Sequence, residues 1–100
     1  MAPLNDILIV DDHYEIVNLL KIILQDNGFI THGFTDPIAA LDYFKTNPKK
    51  FALAISDILM PGMNGIELLV KIKEACPDIK TFIITAVCFV SWFLFPNTYS

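Results

Sequence analysis

Three aspartates carry most of the chemistry available to this chain. Asp11 and Asp12 close a short apolar run, Ile7–Val10, and Asp57 closes another, Phe51–Ser56. If the two runs are neighbouring strands, three carboxylates meet at one end of a sheet. Like charges at such spacing repel and raise one another's pKa unless a cation lies among them. A hard divalent ion with oxygen ligands answers that need. Mg2+ fits best, since it takes one or two carboxylates and keeps several waters. Such a site would neutralise an incoming phosphoryl group, and an aspartate there could accept it as an aspartyl phosphate. Taken singly, the same residues have simpler roles. Asp12 reads first as a helix N-cap, with Glu15 three residues later completing a capping box. Asp57 reads as a turn former before Met60-Pro61-Gly62. A cap uses one carboxylate oxygen, so the two readings of Asp12 are compatible.

The elements that must position these residues alternate in type. Ile7–Val10 has the continuous apolar character of a strand buried on both faces. Ile16, Leu19, Leu20, Ile23 and Leu24 recur at helical spacing, and Asn27-Gly28 ends that helix. Phe29–Phe34 is a weaker strand. Asp36-Pro37 opens a second helix as N-cap and first helical residue, with Ala40, Leu41 and Phe44 as its buried stripe and Asn47-Pro48 as its end. Phe51–Ser56 is the third strand, followed by a loop rich in breakers, Met60–Gly65. Ile66, Leu69, Val70 and Ile72 give a third helix, stopped by Pro77, and Thr81–Ala86 is a fourth strand. The order β-α-β-α-β-α-β predicts an α/β fold, a parallel sheet with helices on both faces. In such sheets ligands bind at the carboxyl ends of the strands, where the three aspartates lie.

Composition narrows the partners. One hundred residues make one domain, and 54% hydrophobic with 18% charged residues excludes a disordered chain. The net charge is −4, with seven lysines and no arginine, which argues against direct nucleic-acid binding. Two cysteines, Cys76 and Cys88, fit a reduced, cytoplasmic setting. The N-terminus lacks the basic region of a signal peptide. All charge lies between Asp6 and Lys80, and the last twenty residues are uncharged and aromatic. As a helix, Thr81–Phe95 would span roughly 22 Å at 1.5 Å per residue, short of the ~30 Å of a bilayer core, so membrane insertion is not expected.

Residues Asp6–Ala86 resemble the receiver domain of two-component response regulators. The resemblance rests on Ile7-Leu8-Ile9-Val10-Asp11-Asp12, on Asp57-Ile58-Leu59-Met60-Pro61-Gly62-Met63-Asn64-Gly65, and on Ile83-Ile84-Thr85-Ala86. It implies a flavodoxin-like sheet of strand order 2-1-3-4. It implies that Asp57 takes a phosphoryl group from a sensor histidine kinase or phosphotransfer protein, with at most self-catalysed transfer and hydrolysis. Mg2+ would be held by Asp12 directly, by Asp11 largely through water, by Asp57, and by the backbone carbonyl of Leu59. Thr85 would be the switch hydroxyl, and Pro61 and Gly65 would shape the loop and the start of the third helix.

After Ala86 the resemblance stops. The family's fifth strand and its active-site lysine have no counterpart in residues 87–100, which read as a divergent apolar tail left by truncation or a frameshift. Three functional readings follow: a phosphoacceptor weakened by the missing lysine, a non-phosphorylated remnant acting only as an interaction module, and a receiver held at a membrane by its tail. The exposed fourth strand and the tail suggest self-association. His13 and His32 have no partner at metal-ligand spacing and read as exposed surface residues. Lys49-Lys50 reads as a solvated turn.

Overall fold

The first strand, β1 (Asp6–Val10), is central because its side chains are apolar on both faces. In the computed structural model of the protein, residues 4–84 are described. The expectations for Thr85, Ala86 and the tail 87–100 lie outside them. The order continues α1 (Tyr14–Asp26), β2 (Ile30–Phe34), α2 (Pro37–Thr46), a 3-10 turn (Pro48–Lys50), β3 (Phe51–Asp57), α3 (Gly65–Ala75) and β4 (Lys80–Ile84). All pairings are parallel, and the sheet order is β2-β1-β3-β4. This is the expected flavodoxin-like arrangement. Among the described residues no helix is long and apolar enough to cross a membrane.

Alternation along the strands divides the core in two. Leu8, Val10, Ala54 and Ile83 face α2 and α3, where Leu41, Phe44, Leu68, Leu69 and Ile72 complete the larger cluster. Ile7, Ile9 and Ile55 face the other way, toward Val17 of α1. Several turn signals act as the sequence suggests. Asp36 accepts a hydrogen bond from the Ile38 N–H, with Pro37 at the first helical position. Gly28 has φ +89° after α1, its N–H bonds to Gln25 O, and the Phe29 N–H bonds to Leu24 O. Those two bonds form a Schellman stop that needs a left-handed residue. The stop takes up Phe29, so β2 begins one residue later than the sequence suggests.

Four expectations need correction. The N-cap of α1 is His13 rather than Asp12, and its side chain makes no capping bond. The Asp12 carboxylate is instead drawn into a cluster at the strand ends. The buried residue of α1 is Val17, with Leu20 and Leu24 packed beside it, whereas Leu19 and Ile23 are exposed. Similarly, α3 buries Leu68, Leu69 and Ile72 while Ile66 and Val70 face solvent. His32 is half-buried rather than exposed. Its Nε2 lies 2.8 Å from Asp6 Oδ2 and its Nδ1 3.0 Å from the Tyr43 hydroxyl, whose oxygen accepts from Lys50 Nζ at 3.4 Å. A carboxylate only accepts, so Nε2 carries the hydrogen of the first bond. Lys49 is exposed in the 3-10 turn, as expected, while Lys50 beside it also lies 5.5 Å from the centroid of the Tyr43 ring, at a cation–π distance.

The start of α3 sets the position of Asp57. Gly65 donates its N–H to Ile58 O at 2.7 Å, and Asn64 caps the helix by accepting from the Glu67 N–H. A Cβ on Gly65 would overlap the carbonyl oxygen of Asp57. Gly65→Ala is therefore expected to destabilise the protein by about 1–3 kcal/mol, the usual cost of overpacking. Urea unfolding with an unchanged midpoint would show that the approach of α3 to β3 is not constrained there.

Candidate functional site

Parallel pairing brings the acidic residues together. Val10 lies beside Ser56 in the β1–β3 register, so the next residues, Asp11 and Asp57, emerge at the same level from adjacent strands. Asp11 is anchored by its N–H to Phe34 O at 3.1 Å. One ligand atom from each of Asp11, Asp12, His13 and Asp57 falls within 4.8 Å of the others. Leu59 lies two residues beyond Asp57 and is 73% exposed. Thr85 lies outside the described residues, one position beyond Ile84, which pairs with Asp57.

The carboxylates differ in surroundings. The Asp11 side chain is 4% exposed, and its Oδ1 accepts from the His13 backbone N–H at 2.9 Å and faces His13 Nδ1 at 3.0 Å. Asp57 is also buried, and its Oδ1 accepts the Ile58 N–H at 2.8 Å. Asp12 Oδ1 lies 3.2 Å from His13 Nδ1 yet is buried without a hydrogen-bond partner among the described residues. A single Nδ1 hydrogen directed at Asp11 accounts for both facts, leaving Asp12 with Coulombic attraction alone. A buried carboxylate oxygen with no donor is costly unless something positive occupies the space beside it.

The electrostatics run in one direction. Burial pushes the Asp57 carboxyl above its usual 3.8, the Asp11 charge adds to this, and the Ile58 N–H opposes it. His13 is raised above 6.5, first by its hydrogen bond to Asp11 and then by the charges of Asp12 and Asp11. The cluster therefore favours added positive charge. Its hard oxygen donors fit Mg2+, and the orphaned Asp12 oxygen fits a cation at this position. His13 is the member that sequence reasoning passed over. The available signal was its place immediately after the acidic pair, where a side chain at the head of α1 can turn back over both.

Comparisons with known proteins agree with this geometry. The sequence pattern of the response regulator receiver domain matches residues 7–88. Sporulation initiation phosphotransferase F of Bacillus subtilis is 38% identical over 81 residues, covering 80% of this chain and 63% of the relative. Response regulator receiver protein CpdR of Brucella abortus is 32% identical over 85 residues, covering 85% of this chain and 69% of the relative. Response regulator protein TrrA of Thermotoga maritima, solved in complex with Mg2+ and BeF, superimposes with a TM-score of 0.75 at 35% identity, covering 82% of this chain and 70% of that one. TrrA has also been solved in complex with the histidine kinase ThkA, with a TM-score of 0.75, 34% identity, and 85% of this chain and 72% of that one covered. The chain spans 35% of another relative, Response regulator RppA of Synechocystis, so it matches the receiver portion of longer regulators. With its strand order, its acidic strand ends and a match across most of its length, this chain belongs to the response regulator receiver domain family.

Proposed function

We propose that this receiver domain accepts a phosphoryl group on Asp57 from a phosphohistidine of a sensor histidine kinase or phosphotransfer protein. The single observation that carries the reading is the Asp11–Asp12–Asp57 cluster, with a buried Asp12 oxygen left without a donor among the described residues. TrrA, solved with Mg2+ and BeF and with a histidine kinase, supports it by similarity. The setting in this reading is cytoplasmic.

Roles follow from placement. Asp57 is the nucleophile: its carboxylate oxygen attacks phosphorus, the new P–O bond forms, and the P–N bond to the donor imidazole breaks, with the leaving nitrogen taking a proton. The Ile58 N–H holds Asp57 Oδ1, which leaves the second oxygen to attack. Asp12 would hold Mg2+ directly and Asp11 largely through water, with Asp57 and the Leu59 carbonyl completing the protein ligands. When bound, Mg2+ neutralises charge on the carboxylates and on the transferring phosphoryl oxygens. Thr85 is assigned as the switch hydroxyl. No lysine follows Lys80 within these 100 residues, and a site served by Mg2+ alone would transfer the phosphoryl group more slowly than one with a second cation beside it.

Two outcomes are expected. Incubation with acetyl phosphate and Mg2+ should add the mass of one phosphoryl group, and Asp57→Asn should abolish the addition. No Asp57-dependent gain would remove the acceptor reading. The second outcome concerns pH in the cation-free protein. Both Asp57 and His13 have raised folded-state pKa values. Their stabilising contributions are complete below the unfolded values of 3.8 and 6.5 and are lost as pH rises through the folded ones. Thermal melts should therefore show Tm falling as pH rises through neutrality. Asp57→Asn should raise Tm at neutral pH, and Mg2+ should raise it most at alkaline pH. A Tm that rises with pH in the cation-free protein would contradict this assignment of charge strain.

A further inference from the structure

We propose that His13 supplies a nitrogen ligand to the cation site through Nδ1 and biases it toward borderline transition cations such as Mn2+, Co2+ and Zn2+ over Mg2+. This rests on the cation-binding reading above and adds a residue and a metal preference to it.

The geometry suits a ligand. His13 Nδ1 lies 3.0 Å from Asp11 Oδ1 and 3.2 Å from Asp12 Oδ1. Metal–ligand bonds of about 2.1 Å at right angles place neighbouring ligand atoms ~3.0 Å apart and opposite ones ~4.2 Å apart. The two short separations therefore match adjacent corners of an octahedron. The 4.8 Å span of the four-residue group is close to its diagonal. The ring is 65% exposed and packing does not fix it. The bond from the His13 N–H to Asp11 Oδ1 and an extended backbone (φ −97°, ψ 109°) keep the imidazole over the carboxylates. The buried Asp12 oxygen, without a donor among the described residues, is the independent sign that a cation belongs among these atoms.

The donor set then determines the metal. Mg2+ prefers oxygen and retains its waters, whereas imidazole adds affinity for later first-row ions. A competing role for His13 gives the opposite result. If it served only as an ion-pair partner of Asp11 and Asp12, it would compete with every divalent ion, and its removal would strengthen binding of all of them.

Calorimetric titration of the full chain with Co2+ and with Mg2+ separates these cases, accompanied by the visible d–d spectrum of the Co2+ form. His13→Asn retains a hydrogen-bond donor near the Nδ1 position without an imidazole lone pair. His13→Ala removes both, at an exposed position that does not threaten folding. Each variant should weaken Co2+ by about tenfold or more, leave Mg2+ unweakened, and shift the Co2+ bands. His32→Gln should change none of these. Co2+ and Mg2+ affinities that move together in the His13 variants, or an unchanged Co2+ spectrum, would overturn the ligand assignment. If Mg2+ binds normally and Co2+ ignores His13, the ligand role fails and the phosphoacceptor reading stands. If Mg2+ fails to bind the unaltered chain while Co2+ still requires His13, the ligand role stands and the Mg2+-dependent reading fails.

Discussion

Repulsion among three carboxylates is the constraint around which this domain is built. Asp11 and Asp57 leave adjacent parallel strands at the same level, and Asp12 follows directly. Water cannot relieve all of this charge, because Asp11 and Asp57 are buried and one Asp12 oxygen is buried with no donor among the described residues. Burial and like charge raise the pKa of Asp57 together. The site is consequently under electrostatic strain that a cation would relieve.

The rest of the fold keeps that strain in place. Strand β1 is buried on both faces, so the backbone ahead of Asp11 has little freedom to withdraw. On the other side, α3 begins so near the Asp57 carbonyl that only glycine fits at position 65. The larger core cluster, centred on Phe44, Leu68 and Ile72, holds α2 and α3 against the sheet. Away from the carboxyl end of the sheet, Asp6, His32, Tyr43 and Lys50 tie the start of β1 and the middle of β2 to the end of α2 and the turn after it. Charge there is satisfied within the protein, whereas charge at the carboxyl end is not, and this asymmetry marks the functional end.

Much of this was legible in the residues because the signals were local. Ile7–Val10 reads as a doubly buried strand from four consecutive apolar side chains, and Asp36-Pro37 reads as a helix start from two residues. The aspartates followed because a parallel sheet places strand ends together. What was missed depended on distant contacts. The partner of His32 is Asp6, twenty-six positions away, and no spacing rule reaches that far. Asp12 had two claims on it, and the local one, the cap, lost to the charge cluster. In α1, five apolar positions at helical spacing did not show which would be covered, because that depends on where β1 and β3 lie beneath the helix. His13 is exposed, as its sequence context suggests, but its place beside Asp11 and Asp12 became visible only in three dimensions.

The account stands on Asp57 being the group that meets a phosphoryl-like anion beside a divalent cation. The most direct measurement is 19F NMR of the chain with beryllofluoride, a tetrahedral mimic of the bound phosphoryl group. A bound resonance that appears with Mg2+ and disappears on chelation or in Asp57→Asn is the expected result. Absence of a bound resonance in the folded, Mg2+-loaded chain, or its persistence in Asp57→Asn, would contradict the account.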